Sequence, residues 1–117
     1  MKPSSAKQKG RLLENYLADQ LRIKGLDQRA RAENSSGAGN REKSDIWTSV
    51  KILDQNVGFE CKNQKTLAIP DWWRQTKKLE SLGREPVLVY KLPYEPLENS
   101  LCTIYLDTLL ELIKNQK

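Results

Sequence analysis

Three residues have the types and the spacing to do chemistry together: Asp45 at the start of one β-type run, and Glu60 and Lys62 inside the next. Side chains alternate faces along a strand, so Glu60 and Lys62 fall on the same face. If the two runs pair as a hairpin through Asp54-Gln55-Asn56, Asp45 comes alongside them. Two carboxylates and an amine at one point on a sheet suit a hard divalent cation, Mg²⁺ with Mn²⁺ as a substitute, which leaves coordination positions for water and phosphate. Such an ion acidifies water and neutralises phosphoryl charge, and Lys62 can hold the attacking water or stabilise the transition state. The matching reaction is phosphodiester hydrolysis. Glu-x-Lys alone arises often on exposed strands, so the signal lies in the combination with Asp45 and a hairpin.

The chain has no histidine. That excludes Ser-His-Asp and Cys-His catalysis and His-based zinc chemistry, leaving carboxylates, lysine and an oxygen-bound metal. Twenty Lys and Arg against fifteen Asp and Glu give +5, a balance that favours a polyanion such as nucleic acid. Cys61 and Cys102 do not make a disulfide framework, no cationic-then-apolar leader opens the sequence, and no apolar run approaches the roughly 18 residues of a membrane span. The expectation is one α/β domain over residues 1–117, without a membrane role, in the reducing cytoplasm.

The elements that must position these residues follow from periodicity. Residues 1–8 are polar, basic and expected to be flexible. A helix then runs to Gly25, with Leu12, Leu13, Tyr16, Leu17, Leu21 and Ile23 on one half of the wheel. Glu14 sits at the border of that stripe, where it can reach the rim of what the helix covers or serve as an ordinary solvated glutamate; Arg11 and Asn15 point outward. Residues 26–33 suggest a short edge strand, and residues 34–43 a loop rich in glycine and serine leading into the candidate ligand. Strands are expected over 45–53 and 57–62, with Cys61 pointing away from Glu60 as a small core residue.

A second helix opens at Ile69-Pro70-Asp71 and stops at Gly83, with Trp72, Thr76, Leu79 and Leu82 buried. Arg74, Lys77 and Lys78 share its outer face, while Gln75 lies on the wheel between Leu79 and Leu82, where a polar group needs a partner. Residues 86–92 read as a central strand and 101–105 as another. Thr108-Leu109-Leu110-Glu111 has capping-box spacing for a last helix through about Ile113.

Lys9-Gly10-Arg11-Leu12-Leu13-Glu14, Arg31-Ala32-Glu33-Asn34-Ser35-Ser36-Gly37, Asp45 and Glu60-Cys61-Lys62 together resemble the PD-(D/E)xK nuclease superfamily, most nearly the archaeal-type Holliday junction resolvases. The likeness spans roughly residues 9–92. It implies a restriction-endonuclease-like fold, a central mixed sheet flanked by helices, and a Mg²⁺-dependent endonuclease that cuts four-way DNA junctions as a homodimer. Asp45 and Glu60 would then ligate the metal with the Cys61 carbonyl, Glu14 would join through a water, and Lys62 would be the catalytic amine. Either Ser35 or Ser36 would be the loop serine, and Gln75 loosely matches a position on the second helix. Arg11, Arg29, Arg31, Arg41, Lys43, Arg74, Lys77 and Lys78 would contact DNA phosphates. Ser44 replaces the motif's proline, and Asn15 stands where these resolvases often carry arginine. A general or flap-type nuclease of the same superfamily, or a non-catalytic DNA-binding module, are the alternatives.

Overall fold

The computed structural model describes residues 6–33 and 45–116, with side chains from residue 8. Helix α1 (Ala6–Ile23) begins inside the stretch expected to be flexible. Its buried stripe is Leu13, Ala18 and Leu21, with Leu17 packed beside them. Leu12 and Ile23 are exposed rather than buried. Leu12 is one residue, about 100°, round the wheel from Leu13, and Ile23 is the last helical residue, so the true stripe is narrower than the half-wheel. Gly25, at φ 73°, closes the helix as Leu26 N–H bonds the Leu21 carbonyl (2.9 Å).

Strands β1 (Arg31–Ala32) and β2 (Ile46–Trp47) pair antiparallel. The strand expected over 45–53 is broken: β2 ends at Trp47, and β3 holds only Lys51–Ile52. Asp27 causes the break by accepting the Thr48 hydroxyl and the Ser49 N–H, while Thr48 Oγ1 accepts the Val50 N–H (3.2 Å). Side-chain bonds of this kind take donors that a ladder would otherwise use. The hairpin turn lies at Leu53-Asp54, both at positive φ, so β4 (Gln55–Lys62) starts two residues earlier than expected.

The main sheet has the order β3-β4-β5-β6, in which β5 (Glu85–Tyr90) runs parallel to β4 and β6 (Leu101–Thr103) antiparallel to β5. A strand buried on both faces must be apolar throughout, and Val87, Leu88 and Val89 are. Val57, Phe59, Cys61, Val87 and Val89 form one face with α1. The other face meets α2 (Ile69–Lys77) and the 3₁₀ turn Lys78–Leu82, through Trp72, Thr76 and Leu79. Leu82 lies exposed just before Gly83 reverses the chain. Helices therefore cover both faces of a mixed four-stranded α/β sheet.

Gly58 makes that second layer possible. A Cβ there would lie 2.9 Å from Leu79 Cδ1 and 3.2 Å from Arg84 Cβ. Gly58→Ala is expected to destabilise the fold by about 1–3 kcal/mol through overpacking. Urea unfolding followed by circular dichroism checks this, and an unchanged midpoint would contradict it.

Helix α3 (Leu106–Lys114) starts two residues before the expected capping box. Thr108 is inside it, and its hydroxyl donates to Glu85 Oε2 (2.7 Å) instead of capping. No side chain caps this helix.

Candidate metal centre

The β3 ladder reaches only Gln55 and Asn56, so β4 presents a different neighbour along the rest of that edge. Asp45 fills the place. Its N–H donates to the Phe59 carbonyl (2.9 Å), and its Oδ2 accepts the Cys61 N–H (2.7 Å). The N–H and C=O of one strand residue project to the same edge, so the Cys61 carbonyl is directed toward Asp45 as well. The Cys61 side chain goes into the α1 core, and burial followed by the surrounding carboxylates raises its thiol well above the usual range, which fits a packing residue rather than a nucleophile.

Glu60 and Lys62 share a face as strand alternation requires, with Nζ 3.5 Å from Glu60 Oε2 and each side chain 18% exposed. Glu14 approaches from α1. Burial first, then the negative charges of Asp45 and Glu60, push Glu14 up to about 7, against the opposing charge of Arg11. Burial and then Asp45 push Glu60 up to about 7, with Lys62 opposing. Burial also raises Asp45, although the Cys61 N–H and Lys62 hold it down. Glu14 and Glu60 thus feel the charge of Asp45 around β4, beside a single lysine. That excess of buried negative charge is the electrostatic situation that a divalent cation relieves.

Among the described residues, no three His, Cys, Asp or Glu side chains are close enough to hold a metal ion by themselves. The candidate donors are instead two side chains and a backbone oxygen, Asp45, Glu60 and the Cys61 carbonyl, with Glu14 coupled to both carboxylates. One or two carboxylates with the balance supplied by water is the ordinary mode for Mg²⁺.

Other expected site residues are less concentrated. Ser35, Ser36, Arg41, Lys43 and Ser44 lie outside the described residues. Gln75 is exposed and makes no side-chain hydrogen bond among the described residues, because the apolar wedge expected beside it closes at Leu79 once Leu82 turns out. Arg11 and Arg29 are exposed, and the Arg31 guanidinium stacks over Trp47 at 4.5 Å. Arg74 pairs with Asp71, and with exposed Lys77 and Lys78 it lies on the outer side of α2, across the sheet from α1.

One contact escaped the sequence reading. Buried Asn63, directly after Lys62, donates through Nδ2 to the Lys9 carbonyl (2.8 Å) and fixes the start of α1 to the end of β4. The only signal in the sequence was an amide residue directly after Glu60-Cys61-Lys62. No helix among the described residues is long and apolar enough to cross a membrane. Comparison of the chain with family models, curated proteins and solved structures found no match.

Proposed function

We propose that the chain is a metal-dependent DNA endonuclease of the PD-(D/E)xK type, with a restriction-endonuclease-like arrangement of its sheet, and that it acts on branched DNA such as four-way junctions. The observation that carries the reading is the electrostatic coupling of Glu14 and Glu60 to Asp45 around β4, with the Lys62 amine 3.5 Å from Glu60. The net charge of +5 supports a polyanionic substrate.

Asp45, Glu60 and the Cys61 carbonyl would hold Mg²⁺, or Mn²⁺ in its place. When bound, the ion supplies an acidified water and neutralises charge on the scissile phosphate. Lys62, held by Glu60, would set its positive charge against the negative charge that develops on the phosphorane. Glu14, with its affinity for a proton near neutral pH, can accept or return one at the reacting centre. The core behind Cys61 holds Glu60 and Lys62 on a buried strand and packs α1, which carries Glu14, against it.

The test is cleavage of a labelled four-way junction with Mg²⁺. Lys62→Ala is expected to slow it by about 10²–10³-fold, the usual loss for one transition-state donor. Equal cutting by wild type, Lys62→Ala and Asp45→Ala would sink the assigned site. Equal nicking of junction, flap and linear duplex would make the chain a general nuclease of the same kind.

Paired nicks in a two-fold junction call for a two-fold dimer. Leu106, Leu109, Leu110 and Ile113, spaced as one helical stripe, are exposed on α3, and a second copy of that stripe is the proposed partner. Sedimentation velocity should give a dimer for wild type and a monomer for Leu109→Glu/Ile113→Glu. A monomeric wild type bound to junction would remove the dimer from the proposal.

A further inference from the structure

A basic cleft of about 420 Å³ opens beyond the carboxyl ends of β4 and β5, between Lys9 on α1, the chain after Lys62 (Asn63, Gln64, Lys65) and Tyr94 after β5. We propose that this cleft seats an unpaired DNA strand, with one base stacked on Tyr94 and its phosphates against Lys9 and Lys65. The proposal deepens the nuclease reading and rests on it for the origin of the strand, since branch points and opened junctions are where unpaired nucleotides occur.

The cleft is built rather than incidental. Its floor is the Asn63 bond to the Lys9 carbonyl, made by a side chain of a residue only 8% exposed. Lys91 is not a free cation: Nζ donates to the Leu92 carbonyl (3.0 Å) and the Glu95 carbonyl (2.8 Å), clamping the loop that displays Tyr94. Its backbone N–H donates to the Lys62 carbonyl (3.3 Å), so the loop is tied to the strand that carries the candidate catalytic lysine.

Within that clamped loop, Tyr94 has φ 67° and is 91% exposed. A bulky residue in the left-handed region is strained, and such strain persists where surrounding bonds hold it. The ring is left open to solvent, where a base can stack on it. Leu12, exposed against expectation, forms the apolar wall on the α1 side.

The electrostatics agree. Lys9 and Lys65 form no ion pair among the described residues, and no carboxylate lines the cleft. The nearby Glu95 carboxylate is turned to Asn99 Nδ2 (3.0 Å). Lys9 precedes Glu14 by five residues of helix, about 7.5 Å at the helical rise. The cleft therefore lies within about two helical turns of the candidate metal centre along α1. Duplex DNA keeps its bases stacked and offers the cleft only phosphates, whereas an unpaired base can reach the ring.

The experiment is fluorescence anisotropy of a short labelled oligothymidylate in EDTA, with a blunt duplex and an oligouridylate of equal length as further arms. Tyr94→Ala should weaken oligothymidylate binding about tenfold, as loss of one stacked base does, with little effect on duplex. Tyr94→Phe should retain affinity. Lys9→Gln/Lys65→Gln should weaken it and flatten the dependence of log Kd on log salt by about 1.4, the share of two phosphate contacts on a single strand. Unchanged oligothymidylate binding by Tyr94→Ala, equal losses on duplex, or tighter binding to oligouridylate would overturn the proposal. If no DNA is cut yet Tyr94→Ala still loses the strand, the nuclease reading fails and the cleft stands. If junctions are cut and strand binding ignores Tyr94, the cleft alone fails.

Discussion

Asp45→Asn is expected to reduce Mg²⁺-dependent cleavage by at least about 10³-fold, roughly 4 kcal/mol of transition-state stabilisation, while leaving the fold in place. The two parts of that outcome come from different atoms. Asp45 Oδ2 accepts the Cys61 N–H at 2.7 Å, and the asparagine carbonyl oxygen can do the same, so the edge of β4 keeps its partner. The charge is lost, and a neutral amide is a poor ligand for a hard cation beside one remaining carboxylate. Asp45→Ala removes both functions. It leaves the buried Cys61 N–H without an acceptor, at a cost of about 1–3 kcal/mol in stability, so its inactivity would be harder to read. Single-turnover cleavage rates, Mn²⁺ titration calorimetry and thermal melts separate these effects. Near-wild-type cleavage by Asp45→Asn would show that this carboxylate carries no metal.

The part of the site that was legible in the sequence is the part governed by local period. Glu60 and Lys62 share a face because strand alternation is strict, and Trp72, Thr76 and Leu79 are buried because helical spacing is nearly so. The sheet's centre was legible too, since Pro86 to Val89 carry no polar side chain on either face. What was not legible depends on partners far along the chain. Asp27 breaks the expected strand at Thr48 from twenty-one residues away, and Glu85 takes the Thr108 hydroxyl that would have capped a helix from twenty-three. Asn63 meets Lys9 across a separation of fifty-four. Leu53 adopts a positive φ that its residue type disfavours, so composition pointed to the wrong turn.

The same distant contacts give the acidic cluster its place. Local period brings together only Glu60 and Lys62. Asp45 joins because the ladder of β3 stops at Asn56 and leaves an edge for it, and Glu14 joins because α1 packs over Phe59 and Cys61. The cluster is therefore a product of tertiary packing, and packing is what raises its proton affinity.

That elevation predicts a dependence of metal-free stability on pH. Glu14 and Glu60 have folded-state pKa values of about 7 against an ordinary 4.5. Between those values the folded chain holds more protons than the unfolded chain, so stability falls as pH rises. The stabilising contribution is fully present below the ordinary value and is lost by the time pH passes about 7. Asp27 works oppositely: the Thr48 hydroxyl and backbone N–H groups lower it, so its contribution is lost only under more acidic conditions. The window from about pH 5 to 8 therefore isolates the cluster. Two independent, fully buried carboxylates would lose about 7 kcal/mol, but these titrate as a coupled set and are partly solvated, which brings the loss to about 2–4 kcal/mol. In a chain of this size that corresponds to a Tm lower by about 10 °C at pH 8 than at pH 5. Saturating Mg²⁺ should recover about 3 kcal/mol at pH 8, as expected at 100 times Kd, and much less at pH 5, where protons compete for the same oxygens. Glu60→Gln should flatten both responses, because it removes one titrating group and one ligand together. Scanning calorimetry at the two pH values, in EDTA and in Mg²⁺, provides the check. A metal-free Tm that is level or rises from pH 5 to 8, or a Mg²⁺ shift equal at both, would mean that the three carboxylates are not a coupled metal-binding cluster.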